Sequence, residues 1–298
     1  MKDVIIVGGG CAGLSAALYA ARAGKSVLLF EAENFGGQIT AAPQVDNYPG
    51  LPGVSGLDLA DAILAQVTEL GVEVELDRVT SIRSVDGKKI VTCEGGTYES
   101  EAVILATGAK HKKLGLPREE VLTGRGISYC ATCDGAFFRN RPVAMVGGGN
   151  TAITEALFLA NFCESVTVIH RRAAFRAEAN LLLRAEKTGN IRFITDTVVE
   201  ELIGEKRLES IRIRNRVTGE ESALPIAGLF VAIGHEPQNT GLCEGLDLDT
   251  DGYILAGEDC RTNLPGILAA GDCRLKEVRQ LTTAVGDGAN AAMSAWAE

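Results

Sequence analysis

Cys130 and Cys133 stand two residues apart in the segment GISYCATCDGAFF, residues 126–138. Thiols at that spacing can close a small disulfide ring. The arrangement commonly lowers one thiol pKa from its reference near 8.5, which raises the fraction of thiolate that attacks disulfides. Asp134 follows directly, where a carboxyl group can carry protons to and from the thiols. A structural zinc site would ask for four ligands, usually a second Cys-x-x-Cys or a nearby His pair. The chain has no second Cys-x-x-Cys, and His111, His170 and His235 are scattered, so no metal is expected. The remaining cysteines, at 11, 93, 163, 243, 260 and 273, read as buried or half-buried free thiols rather than a secreted disulfide framework.

A dithiol needs a source of electrons, and a duplicated pattern offers two places to hold one. Residues 4–7 (VIIV) lead into Gly8-x-Gly10-x-x-Gly13, the helical stretch LSAALYAARA and the run VLLFE. Residues 143–146 (VAMV) lead into Gly147-x-Gly149-x-x-Ala152, with Asn150 and Thr151 inside the turn, then ITEALFLANF and VTVIH. Each passage reads strand, glycine turn, helix, strand, the order of a dinucleotide-binding βαβ unit. The first glycine permits the turn, the second lets backbone approach a pyrophosphate, and the third position packs helix on strand. The helix N-terminus then offers its unpaired N–H groups to the phosphates.

The ends of the second strands separate the two nucleotides. Glu31 follows Gly13 by 18 positions, where a carboxylate can accept from a ribose diol, and His170 follows Ala152 by the same 18. His170 opens the run His170-Arg171-Arg172, with Arg176 four residues beyond Arg172. Guanidinium groups bind a 2′-phosphate that a carboxylate would repel. The first unit therefore suits FAD and the second NADPH. The strand-like runs AVILATGA (102–109) and LFVAIGH (229–235) each end on a small residue and glycine, and Gly108 is a point where backbone can pass close to a cofactor.

Composition fits this reading. The 298 residues suggest about two domains. The 35 glycines exceed the roughly 20 of an average chain of this length, as tight turns and close contacts require. A net charge of −10 and a pI near 5.0 argue against nucleic-acid or membrane partners. No run of 18 apolar residues occurs, and Gly8-Gly9-Gly10 would break a signal-peptide helix. A cytoplasmic location is expected.

Together CATCD, the two glycine motifs, HRRxxxR and the closing GDC…RQ…GDG segment resemble bacterial-type, low-molecular-weight NADPH-dependent thioredoxin reductases, in the same order over nearly the whole chain. The resemblance implies an α/β fold of two Rossmann-like dinucleotide-binding domains, the NADPH domain inserted into a discontinuous FAD domain. The expected bounds are 1–113, 114–241 and 242–298. It further implies that Gly37, Gln38 and Asn47 line the flavin, that Asp272 bonds the ribityl hydroxyls, and that Arg279 and Gln280 close over the flavin ring. Cys130 would attack a thioredoxin or thioredoxin-like partner, Cys133 would lie nearer the flavin, and the enzyme would be a homodimer. The sequence departs from the family at Cys11, Thr154, Cys273 and Leu281 without losing a reacting group. The residues alone leave open a dithiol oxidase, a ferredoxin-dependent reductase, or a redox sensor without turnover.

Chain order adds a geometric demand. Only 14 positions separate Cys133 from Gly147, so dithiol and NADPH share a domain, yet both must reach one flavin held by the other. A hinge rotation presenting them alternately is expected, about connections near 112–115 and 237–241.

Overall fold

The computed structural model describes residues 1–239 and 241–296. Thr240, inside the second expected connection, and the last two residues of the 242–298 segment lie outside the described residues.

In chain order the elements begin with β1 (Lys2–Val7), α1 (Cys11–Arg22), β2 (Val27–Glu31), α2 (Gly56–Glu69) and β3 (Glu73–Leu76). Then come β4 (Val79–Val85), β5 (Lys88–Cys93), β6 (Gly96–Leu105) and β7 (Ala109–His111). The middle of the chain holds α3 (Glu119–Leu122), β8 (Ile127–Ser128), α4 (Ala131–Asp134), β9 (Pro142–Gly147), α5 (Asn150–Ala160), β10 (Ser165–Ile169), α6 (Ala179–Glu186) and β11 (Ile191–Ile194). It continues through β12 (Thr197–Ile203), β13 (Ser210–Asn215), β14 (Glu221–Pro225), β15 (Gly228–Ala232) and β16 (His235–Pro237), and the chain closes with β17 (Ile267–Ala269) and α7 (Leu281–Ser294). The chain divides into two compact units. Unit 1 is Met1–Lys110 with Glu236–Glu298, and unit 2 is His111–His235. The short strands β7 and β16, where the chain passes from one unit to the other, pair with each other.

Unit 1 is built on parallel strands in the order β3-β2-β1-β6, with β17 also parallel to β6. The VIIV run of β1 is buried along its whole length, as a parallel strand covered on both faces must be. The ten-residue β6 serves twice: its first half pairs antiparallel with β5, its second half parallel with β1. Two apolar clusters fill the two faces, one around Ile6, Leu14 and Leu29, the other around Ile5, Leu28 and Phe30. Small residues let helices come close: a Cβ on Gly288 of α7 would stand 2.2 Å from the Ala12 carbonyl oxygen of α1.

Unit 2 repeats the plan. Its parallel sheet runs β11-β10-β9-β15-β8, beside an antiparallel β12-β13-β14 meander. Val143, Met145, Ile153 and Phe230 centre one apolar cluster, and Ala144, Ile169, Ile211 and Leu229 the other. The α/β class and the doubled dinucleotide-binding design expected from the sequence are both present.

Candidate active site

In unit 1 the first glycine turn behaves as its spacing requires. Gly8 has φ +108°, and a Cβ there would meet the Ala106 carbonyl oxygen at 2.3 Å. A Cβ on Gly13 would stand 1.9 Å from the Gly8 oxygen. At Gly10 the nearest atom to an added Cβ is 4.0 Å away. Two glycines are therefore demanded by the fold, and the third leaves room above the turn. That room faces the start of α1, which has no side-chain cap and no acid in its first turn, so its free N–H groups suit an anion. Cys11 is the first residue of this helix, a position where proline is at home, and burial pushes its thiol up to about 11.

Glu31 and the Gly36–Gly37 turn lie against this turn, and the other expected residues make contacts of their own. Glu31 accepts from the Gly9 amide (2.7 Å) and the Glu33 amide (2.8 Å). The Gly36 amide donates to the Gly9 oxygen at 2.7 Å, which lays the Gly36–Gly37 turn beside the first. Gln38 Nε2 donates to the Ala109 oxygen (2.7 Å), and Asn47 Nδ2 to Gln280 Oε1 (3.2 Å). Gly108, at φ +69°, has no neighbour within 4 Å of an added Cβ. Arg279 lies over the Tyr253 ring, 4.1 Å from its centroid. Asp272 Oδ1 and Arg279 Nε are buried without a hydrogen-bond partner. Such atoms are expensive unless a ligand completes them. A carboxylate oxygen lacking donors fits a polyhydroxyl chain, and the open Gly10 turn fits a pyrophosphate. These residues suit a flavin nucleotide.

Unit 2 carries the second turn and the dithiol. A Cβ on Gly147 would meet the Ala232 oxygen at 2.5 Å, whereas one on Gly149 would meet nothing within 4 Å. The start of α5 is likewise uncapped by a side chain. Asn150 exchanges hydrogen bonds with Glu178 (3.0 and 2.8 Å), and Thr151 is exposed. His170 is buried, stacked on Phe175 and bonded through Nε2 to the Ala174 oxygen, and a Cβ on Gly148 would strike its ring at 2.2 Å. It therefore props the turn from beneath. Arg171, Arg172 and Arg176 are exposed, and the Arg176 amide donates to the Gly148 oxygen at 2.7 Å, so loop and turn are tied. Arg216, unmarked in the sequence reading, joins this group by donating to the Arg171 oxygen at 3.2 Å.

Cys130 and Cys133 form a disulfide at the start of α4. Cys133 is exposed and Cys130 half-buried. The Ser128 hydroxyl donates to Asp134 Oδ2 (2.6 Å) and accepts from the Cys130 amide (3.1 Å). Burial raises the Asp134 pKa above the ordinary carboxylate value against the opposing Ser128 bond, which favours the protonated form more than in an exposed aspartate. The sequence reading also passed over Glu155 on α5. Burial pushes it up to about 7 against a hydrogen bond from the Ala131 amide, inside the CATC segment. Only the packing of α4 on α5 reveals it.

Residues 2–288 match the family model described as pyridine nucleotide-disulphide oxidoreductase. The chain is 44% identical over 296 residues to a thioredoxin reductase of Listeria innocua, covering 98% of this chain and 92% of that one. Among solved structures, thioredoxin reductase from Streptococcus pyogenes MGAS5005 matches with a TM-score of 0.94 at 42% identity, covering 99% of this chain and 97% of that one. Lactococcus lactis thioredoxin reductase in its FR conformation matches with 0.68 at 41% identity, covering 99% and 98%. Among the described residues no helix is long and apolar enough to cross a membrane.

Proposed function

The chain belongs to the pyridine nucleotide-disulphide oxidoreductases, and on that premise we propose that it uses FAD and NADPH to reduce the disulfide of thioredoxin or a thioredoxin-like protein. The observation that carries the reading is the Cys130–Cys133 disulfide with Asp134 bonded beside it through Ser128. A bound flavin supplies two-electron chemistry, taking hydride from a reduced nicotinamide and passing two electrons to a disulfide.

The residues of the chain do the rest. Gly8, Gly10, Gly13 and the start of α1 receive the FAD pyrophosphate, Glu31 the ribose, and Asp272 the ribityl hydroxyls. Gly37, Gln38, Asn47, Gly108, Arg279 and Gln280 line the remainder. Gly147, Gly149, Asn150 and Thr151 receive NADPH, Arg171, Arg172 and Arg176 hold its 2′-phosphate, and His170 supports the turn. Opening the disulfide takes two electrons and two protons, of which Asp134 carries one. Cys130 thiolate then attacks a partner disulfide sulfur, forming a mixed disulfide and releasing one partner thiolate. Cys133 attacks the Cys130 sulfur, restores the internal disulfide and releases the second.

Dithiol and NADPH residues share unit 2, and we propose a turn of that unit that presents them alternately to one flavin. By family resemblance the working form is a cytoplasmic homodimer.

The test is NADPH-driven reduction of thioredoxin by FAD-loaded protein. In Cys130→Ser/Cys133→Ser, NADPH should still bleach the flavin absorbance while thioredoxin reduction is lost. Undiminished turnover in that variant would defeat the proposal.

A further inference from the structure

We propose that Asp287 is a positioning residue for the flavin site: by occupying Arg274 and Lys276 it keeps the carboxylate of Asp272 available to the ligand. The inference rests on the FAD reading above.

Asp287 lies on α7 and is 6% exposed. Its Oδ1 accepts from Arg274 Nη2 at 2.7 Å. Its Oδ2 accepts from Arg274 Nε at 2.8 Å, Lys276 Nζ at 2.8 Å and the Gly271 amide at 3.0 Å. All these donors come from residues 271–276, the segment that contains Asp272. The Arg274 and Lys276 side chains are only 12% and 8% exposed, so two cations face one carboxylate where water screens little.

Asp272 is the other carboxylate in this environment. Burial raises its pKa, and the charges of Lys276 and then Arg279 pull it back, so Lys276 is within electrostatic reach. Two acids and two cations could pair one to one. Instead Asp287 takes both cations, and Asp272 Oδ1 stays buried and unbonded. The Gly271 amide, one residue before Asp272, is pinned by the same carboxylate. Gly271 has φ +80°, and a Cβ there would stand 2.8 Å from Ala12 Cβ, so the turn is also fixed against α1. Asp272 is thereby held with an acceptor, Oδ1, to which none of the described residues donates.

Removing the Asp287 charge breaks that arrangement. In Asp287→Asn a buried lysine loses its counter-ion, which is costly, and Asp272 becomes its partner. The acceptor meant for the ligand is then consumed inside the protein. Arg274 is less of a threat, because its Nη1 also donates to the Ala256 oxygen at 3.3 Å.

The experiment measures FAD dissociation constants by flavin fluorescence on apoprotein, with apoprotein melting recorded in parallel. Asp287→Asn should weaken FAD binding by about tenfold or more. Lys276→Met/Asp287→Asn, which removes the surplus cation, should return to within about threefold of wild type. In an Asp272→Asn background, Asp287→Asn should have little further effect, because residues acting through one another are not additive. Wild-type affinity in Asp287→Asn overturns the inference, as does an undiminished loss in the double variant, which would mark a merely structural role. If apo Asp287→Asn does not fold, the Lys276→Met/Asp287→Asn protein decides on the same terms. Wild-type protein that takes up no FAD overturns the FAD reading, and this inference with it.

Discussion

The Ser128 hydroxyl donates a 2.6 Å hydrogen bond to Asp134 Oδ2, and its own oxygen accepts from the Cys130 amide at 3.1 Å. One hydroxyl thus joins the acid to the backbone of the cysteine it serves.

Asp134→Asn should lower dithiol-dependent turnover by about 100-fold or more, the scale of a lost general acid–base, with flavin reduction by NADPH within about twofold of wild type. The Ser128 bond favours the ionised carboxylate. Ser128→Ala should therefore raise the Asp134 pKa further, moving the alkaline limb of the rate profile to higher pH. Stopped-flow measurements from pH 5 to 9 on both variants check the pair; an unmoved limb in Ser128→Ala would count against Asp134 as the acid.

Two glycines of one motif should fail in different ways. Gly13→Ala forces a Cβ to 1.9 Å from the Gly8 oxygen, and should cost about 1–3 kcal/mol of stability as overpacking does. Gly10→Ala meets nothing nearer than 4.0 Å. It should melt like wild type without FAD and bind FAD about tenfold more weakly, worth about 1.4 kcal/mol. Calorimetry with and without FAD separates the two.

Arg171→Gln/Arg172→Gln should raise the KM for NADPH by about tenfold or more and leave that for NADH nearly unchanged, since only the former carries the 2′-phosphate. Steady-state kinetics with both nucleotides checks this, and an equal loss with each would assign the arginines another task.

Glu155 and His111 should tilt stability in opposite directions. Burial raises Glu155 from the usual 4.5 to about 7. Between those values the unfolded chain releases a proton that the folded chain keeps, so stability falls as pH rises through the window and levels off above it. Burial, and then the charge of His235, lower His111 from 6.5 to about 4. There the unfolded chain takes a proton that the folded chain refuses, so stability falls as pH drops from 6.5 to 4. Glu155→Gln should gain on the order of 1 kcal/mol at pH 8, and His111→Gln should flatten the acid side. Urea titrations from pH 4 to 8 supply the readings.

What could be seen in the sequence was whatever short spacing dictates. The clash that makes Gly13 a glycine is between an added Cβ and a backbone oxygen five residues earlier, so the motif announces it. The CATC pair and the arginines after β10 are likewise local. Long contacts were silent. Ser128 reads as one more strand residue until α4 folds back to bring Asp134 to it, and Glu155 as an ordinary helical glutamate until α4 lies on α5. Asp287 is only the middle residue of the closing GDG in the sequence, and its grip on Gly271, Arg274 and Lys276 spans up to 16 residues. His170 belonged to a nucleotide-facing motif by position, yet its ring lies buried under Gly148, because periodicity along a strand end does not say which way a side chain turns.

The rings of His111 and His235 lie 4.5 Å apart, tilted at 50°, although they begin and end a unit of more than a hundred residues. A segment whose termini already touch can be spliced into another gene product at a single point, since the recipient's loop-closure entropy hardly changes. The module is therefore portable. Excised at its two histidines and bridged by a tight turn, it should leave behind a self-contained host, and the excised piece should tolerate circularisation.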